Sequence, residues 1–163
     1  MKVTAERYCD FSAGHRVHGH ESKCSNIHGH NYRVTFVCEA DTLDSVGRVI
    51  DFGVIKSILC QWTEDHWDHR FLLWSEDDSP VASALLDPVF VYKEGQSPIP
   101  IRLVDDFGVV IVPFNPTAEN MAEYLSKLGN ELLRSRGIRL SAVRVEETRK
   151  CSATYTSCVD EVA

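Results

Sequence analysis

The sequence predicts an α+β fold, an antiparallel sheet with two main helices on one face. Three observations predict it. Tyr32, Val34, Phe36 and Cys38 alternate with Asn31, Arg33, Thr35 and Val37, and period two marks a half-buried strand. Met121, Leu125, Leu128 and Leu132 recur at helical spacing. The order strand, strand, helix, small strands, helix, strand segregates helices from sheet.

The first strand is expected from Lys2 to about Phe11, and the second from about His30 to Ala40. Asp41 to Gly47 is turn-rich. Arg48-Val49-Ile50-Asp51-Phe52 leads into the first helix, with Asp51 placed to cap it. Val54, Ile55, Ile58, Leu59 and Trp62 share one helical face. Ser75 to Asp87 reads as an acidic loop. Short strands are expected at Val89–Tyr92, Ile101–Val104 and Val109–Val112, with a turn over Asp105–Gly108. Thr117 caps the second helix, Pro116 lies just outside it, and Gly137 stops it. The last strand runs from Leu140 to about Thr148, and the polar tail from residue 150 to 163 is expected to be loosely held. So few long strands leave open edges, which self-association could close.

A chain of 163 residues suffices for one domain with a real core. The net charge of −7 argues against a nucleic-acid-binding surface, which needs clustered cations. There is no signal-peptide pattern and no apolar run long enough to span a bilayer. Cysteines 9, 24, 38, 60, 151 and 158 are irregularly spaced, which fits reduced thiols in a cytoplasmic protein.

Chemistry concentrates in Lys23-Cys24-Ser25-Asn26-Ile27-His28-Gly29-His30. His28 and His30 lie two apart and share the parity of the apolar row, so both imidazoles can face one ion. Two loop histidines held by hydrogen bonds would be the simpler reading, but a third histidine shifts the balance. If the first two strands form a hairpin, His15 returns toward the pair. His18 and His20 are rivals, because they too lie two apart. Three neutral imidazoles leave zinc its charge and one open position. Cys24 is then a base, a nucleophile or a fourth ligand; spacing does not choose between the catalytic and ligand roles.

Two further groups carry candidates. Asp68 beside His69 can fix an imidazole tautomer, or can simply be a pair at a helix end. Glu147 follows the apolar parity of Val143 and Val145, whereas Glu146 shares the outer face with Arg144. A carboxylate on a core-facing row needs a partner, such as a ligand with two N–H donors. Alternatively the strand has frayed there and both acids are solvated.

Taken in order, Phe11-Ser12-Ala13-Gly14-His15-Arg16, Cys24 to His30, Val49-Ile50-Asp51-Phe52, Asp68-His69, Asn115-Pro116-Thr117-Ala118-Glu119 and Val145-Glu146-Glu147-Thr148 resemble the 6-pyruvoyl-tetrahydropterin synthase superfamily. The three-residue gap between Cys24 and His28 is similar to that of its 6-carboxy-5,6,7,8-tetrahydropterin synthase branch; pyruvoyl-forming relatives have a longer gap. The resemblance implies a tunnelling fold assembled into an oligomeric barrel, commonly a homohexamer of two trimers. It implies 7,8-dihydroneopterin triphosphate as substrate and a product for queuosine synthesis. It assigns zinc to His15, His28 and His30, the base to Cys24, a proton relay to Asp68 and His69, and the pterin ring to Glu147, with Thr117 adding a contact. Lys23 and Arg16 are the cations at hand for the triphosphate. Two features depart from the pattern. The stretch from Leu72 to Asn115 is long, with an insert expected around 74–108, and Leu73 stands where relatives often carry Asn.

Overall fold

Among the described residues, six strands form one sheet in the order β6-β3-β1-β2-β7-β8. Their ranges are β1 Thr4–His15, β2 His28–Glu39, β3 Arg70–Trp74, β6 Val109–Val112, β7 Arg139–Thr148 and β8 Cys151–Thr156. The computed structural model describes residues 3–91, 94–95, 97, 99–101 and 107–157. A separate pair, β4 (Val89–Val91) and β5 (Ile99–Ile101), stands apart from the main sheet. The expected strand at residues 101–104 falls largely outside the described residues, as do Asp105 and Asp106.

β1 pairs with β2 and β2 with β7, antiparallel as expected, and β7 pairs with β8 in the same sense. The sheet as a whole is mixed, because β3 runs parallel to both β1 and β6. β1 also continues past Phe11 to His15, which brings that histidine into the ladder. Part of the tail expected to be loose is ordered: Cys151–Thr156 pair with β7 as the edge strand β8. Within the stretch expected to be an acidic loop, Ser79 caps a short helix, α3 (Pro80–Leu86), by accepting the Ala82 N–H.

The alternation in β2 holds. Tyr32, Val34, Phe36 and Cys38 are buried together with Phe11 and Ala13 of β1 and Val143 and Val145 of β7. The first long helix covers this face as α1 (Phe52–Ile55), a π-helical segment (Lys56–Cys60) and α2 (Gln61–Trp67). Asp51 caps it by accepting the Gly53 N–H at 2.7 Å.

The second long helix, α4 (Ala118–Leu133), covers the same face with Ala118, Met121, Ala122, Leu125, Gly129 and Leu133. The expected stripe drifts from this one: Leu132 is exposed and Leu128 only half-buried. The helix approaches the sheet through Gly129, where a Cβ would lie 2.4 Å from Leu140 Cδ1. A row running through a glycine carries no hydropathy signal. Gly137, at φ 64°, stops the chain in the left-handed region after a 3-10 turn.

Candidate active site at the β1–β2 end

The hairpin register builds the site. His15 sits directly opposite His28, and His30 lies opposite Ala13 on the same face. One ring nitrogen from each of His15, His28 and His30 falls within 4.8 Å of the others. The ring centroids lie 4.4, 5.2 and 5.0 Å apart for the pairs 15–28, 15–30 and 28–30. Backbone carbonyls orient two of the rings. His15 Nδ1 donates to Pro116 O at 2.7 Å, and His28 Nδ1 to Asn26 O at 2.8 Å. Each bond leaves Nε2 as the free acceptor. His15 Nε2 is buried and has no hydrogen-bond partner among the described residues. An orphaned acceptor in a cluster of three imidazoles is a fit for a bound cation. Burial is the main cause that pushes His15 down to about 4, so the ring is neutral near pH 7. Burial also lowers His30, against the opposing pull of Glu147.

The rival histidines are engaged elsewhere. His18 Nδ1 lies 2.9 Å from Asp77 Oδ1 and its Nε2 3.5 Å from Asp78 Oδ1. His20 Nδ1 accepts the Ser22 N–H at 2.9 Å.

Cys24 occupies a 3-10 turn, Lys23–Ser25, and is half-buried. Its thiol is not among the three groups that converge. The Val17 N–H holds this turn through Cys24 O at 2.8 Å. Arg16 is not free to meet a triphosphate: it is buried and bonded to Asp77, Ser79 and Ser25 O. Lys23 stays exposed.

Asp68 and His69 dock on β1 at Ser12, just before β3 pairs in parallel with β1. Asp68 Oδ1 accepts the Ser12 N–H at 2.8 Å, and the His69 N–H donates to Ser12 O at 2.7 Å. His69 Nδ1 donates to Asp68 Oδ2 at 2.8 Å. Burial alone would raise the Asp68 carboxyl; the Ser12 N–H and His69 outweigh it and hold it below the usual carboxylate range. His69 has φ 56°, a left-handed conformation uncommon for a side-chain-bearing residue. Its exposed ring lines an open cleft of about 550 Å³ together with His28, His30, Phe71 and Phe107. Cys24 and Glu147 do not line that cleft.

Glu147 is on the histidine side of the sheet. Its Oε2 lies 4.0 Å from His30 Nε2. Glu146 pairs across to Arg33 in register and to Arg144 through a 3.1 Å hydrogen bond. Thr117 is the N-cap of α4, accepting the Asn120 N–H at 3.3 Å, and it follows the Pro116 that holds His15.

Four contributors escaped sequence reading. The Pro116 and Asn26 carbonyls carry no side-chain signal. Tyr32 was read only as core, yet its hydroxyl is buried without a partner among the described residues, and burial first and Glu147 second raise its pKa. Ser12 anchors both members of the Asp-His pair through its backbone.

The chain is similar to known proteins over nearly its whole length. The family model described as 6-pyruvoyl tetrahydropterin synthase matches residues 4–158. A Rickettsia typhi protein named 6-carboxy-5,6,7,8-tetrahydropterin synthase is 30% identical over 150 residues, covering 91% of this chain and 96% of that one. A Halobacterium salinarum protein named as a probable 6-carboxy-5,6,7,8-tetrahydropterin synthase is 31% identical, covering 94% and 86%. An uncharacterized Wolinella succinogenes protein superposes with a TM-score of 0.78 at 25% identity, over 96% of this chain and 98% of that one. Caenorhabditis elegans 6-pyruvoyl tetrahydropterin synthase shares the fold, with a TM-score of 0.62 at 23% identity and 97% of each chain covered. Among the described residues, no helix is long and apolar enough to cross a membrane. A match across nearly the whole chain, falling on a sheet that gathers these histidines, establishes that the chain is an enzyme of the 6-pyruvoyl tetrahydropterin synthase family.

Proposed function

We propose that the enzyme is a zinc-dependent, cytoplasmic lyase that converts 7,8-dihydroneopterin triphosphate and one water into 6-carboxy-5,6,7,8-tetrahydropterin, acetaldehyde and triphosphate. The observation that carries this reading is the convergence of His15, His28 and His30 with the Cys24 thiol outside the group. The short gap between Cys24 and His28, and relatives named for this activity, support the carboxy-forming outcome. On the resemblance described above, the product feeds deazapurine synthesis of the queuosine type.

Zinc held by the three imidazoles would supply a Lewis acid that acidifies the C–H and O–H groups of the substrate side chain. Cys24 is the base that takes those protons. Asp68 holds the proton of His69 on Nδ1, which leaves Nε2 of this cleft-lining residue to accept or return a proton. Glu147 accepts the paired N–H donors of the pterin edge, and the Thr117 hydroxyl adds a contact. Self-association as a homohexamer would cover the strand edges at β6 and β8.

The nearest rival is pyruvoyl formation, which eliminates triphosphate and consumes no water. Incubation of the zinc-loaded protein with 7,8-dihydroneopterin triphosphate separates the two. Stoichiometric acetaldehyde is expected; a 6-pyruvoyl product without acetaldehyde would overturn the assignment.

Glu147 and Glu146 give a second test. Charge-assisted hydrogen bonds contribute enough that Glu147→Ala is expected to raise KM by about tenfold or more. Glu146→Ala should leave KM within about twofold, because that carboxylate faces Arg33 and Arg144 across the outer surface. Equal effects in steady-state kinetics would refute the face assignment.

A further inference from the structure

The residue after His15 is an arginine that turns inward. Arg16 Nε donates to Ser25 O at 2.9 Å, and its Nη1 donates to Ser79 Oγ at 2.8 Å and to Asp77 Oδ2. The Asp77 side chain is 1% exposed. Its Oδ1 accepts the Ser79 N–H at 3.0 Å and faces His18 Nδ1 at 2.9 Å. Next along the chain, the Val17 N–H donates to Cys24 O at 2.8 Å. Two adjacent carbonyls of the cysteine turn, those of Cys24 and Ser25, are therefore tied to two adjacent residues leaving β1. The same exit segment is also held by Asn115, which accepts the His18 N–H and donates to His18 O.

We propose that Asp77 is a positioning residue for Cys24: it holds the Arg16 guanidinium in place, Arg16 holds the Ser25 carbonyl, and the thiol is thereby fixed relative to the histidine triad. Arg16 has no solvent to replace Asp77 while it stays inside, and a buried cation without its anion is costly. Without that carboxylate the guanidinium swings outward and releases Ser25. The planar guanidinium spans Ser25 O and Asp77 through different nitrogens, a bridge that a point-charge ammonium does not reproduce. His18, Asp77 and Asp78 also bring three potential ligand atoms within 4.8 Å. The Arg16 cation already pairs with Asp77, so the cluster reads as an ion-pair brace and not as a second metal site.

The test uses the full chain with zinc and the variant Asp77→Asn, which keeps the volume and removes the charge. Amide exchange at Val17 and across residues 24–26 is expected to accelerate by about tenfold or more, the scale of a lost charge-assisted hydrogen bond. Exchange in β2 and α4 should stay within about twofold, because the loss is local. Bound zinc should remain at one equivalent per chain. Turnover should fall by about tenfold through kcat with KM nearly unchanged, as for a misplaced catalytic group. Arg16→Lys should reproduce this pattern, and it serves as the test if Asp77→Asn does not fold. The kinetic readout rests on the lyase reading; the exchange readout does not, so failure of one is distinguishable from failure of the other. Unchanged exchange at 17 and 24–26 would overturn the proposal. So would uniform loosening of the whole chain, unchanged kcat, or two zinc equivalents in the native protein with one lost in Asp77→Asn.

Discussion

Cys24→Ala is expected to keep one equivalent of zinc and to lose turnover by about two to four orders of magnitude, the range for removal of a positioned general base. The geometry explains why the two effects separate. The thiol is not one of the groups within 4.8 Å that could share an ion. Its turn is held through backbone carbonyls, by Val17 N–H at Cys24 O and by Arg16 at Ser25 O, so truncating the side chain leaves those bonds in place. A fourth-ligand role predicts the opposite: a closed His3Cys site is structural, and losing its sulfur would cost both metal and fold. Metal analysis after gel filtration, run beside the acetaldehyde assay, decides between them. Zinc loss in a Cys24→Ala protein would refute the base assignment.

What the sequence could show depended on whether a residue's role is written locally. β2 faces a core on one side only, so Tyr32 to Cys38 alternate and the strand is legible together with its face. β3 lies between two parallel neighbours and is covered on both sides. Leu72 joins the main core, while Leu73 joins Ala82 and Val109 in a second cluster. A strand buried on both faces reads as an unbroken apolar run, and Phe71-Leu72-Leu73-Trp74 is such a run. The expected antiparallel sheet becomes mixed at that strand, which pairs in parallel with β1 and β6. Leu73, conspicuous as a departure from relatives, anchors the second cluster. α3 did carry signals, a Ser79 cap followed by Pro80 at the first turn, but the acidic residues before it suggested a loop. At the site, register makes the three histidines legible, because direct and diagonal cross-strand neighbours follow from parity. The Pro116 acceptor for His15 and the Asp77 partner for Arg16 are tertiary contacts, 101 and 61 residues away, and no local pattern encodes them.

His28→Ala is expected to lose zinc from a chain that still folds, and to lose turnover with it. The metal loss follows from how few ligands there are. His15 and His28 face each other across the ladder, each with Nδ1 committed to a carbonyl and Nε2 left over, and His30 completes the set. Weakening even an outer partner of a metal ligand typically costs about 10- to 100-fold in affinity, so deleting one of three ligands costs more. The fold survives because β1 and β2 are joined by backbone pairing from Thr4 to His15, and His28 is only half-buried at the end of that ladder. Zinc bound to the folded state alone stabilises it by mass action. A chelator should therefore lower the melting temperature of the native protein and leave that of His28→Ala unchanged. His18→Ala is the control: its ring is engaged with Asp77 and Asp78, outside the triad, so zinc content and the chelator effect should match the native protein. Stoichiometric zinc in dialysed His28→Ala, or zinc lost from His18→Ala instead, would place the cation elsewhere in the structure and remove the basis for the proposed chemistry.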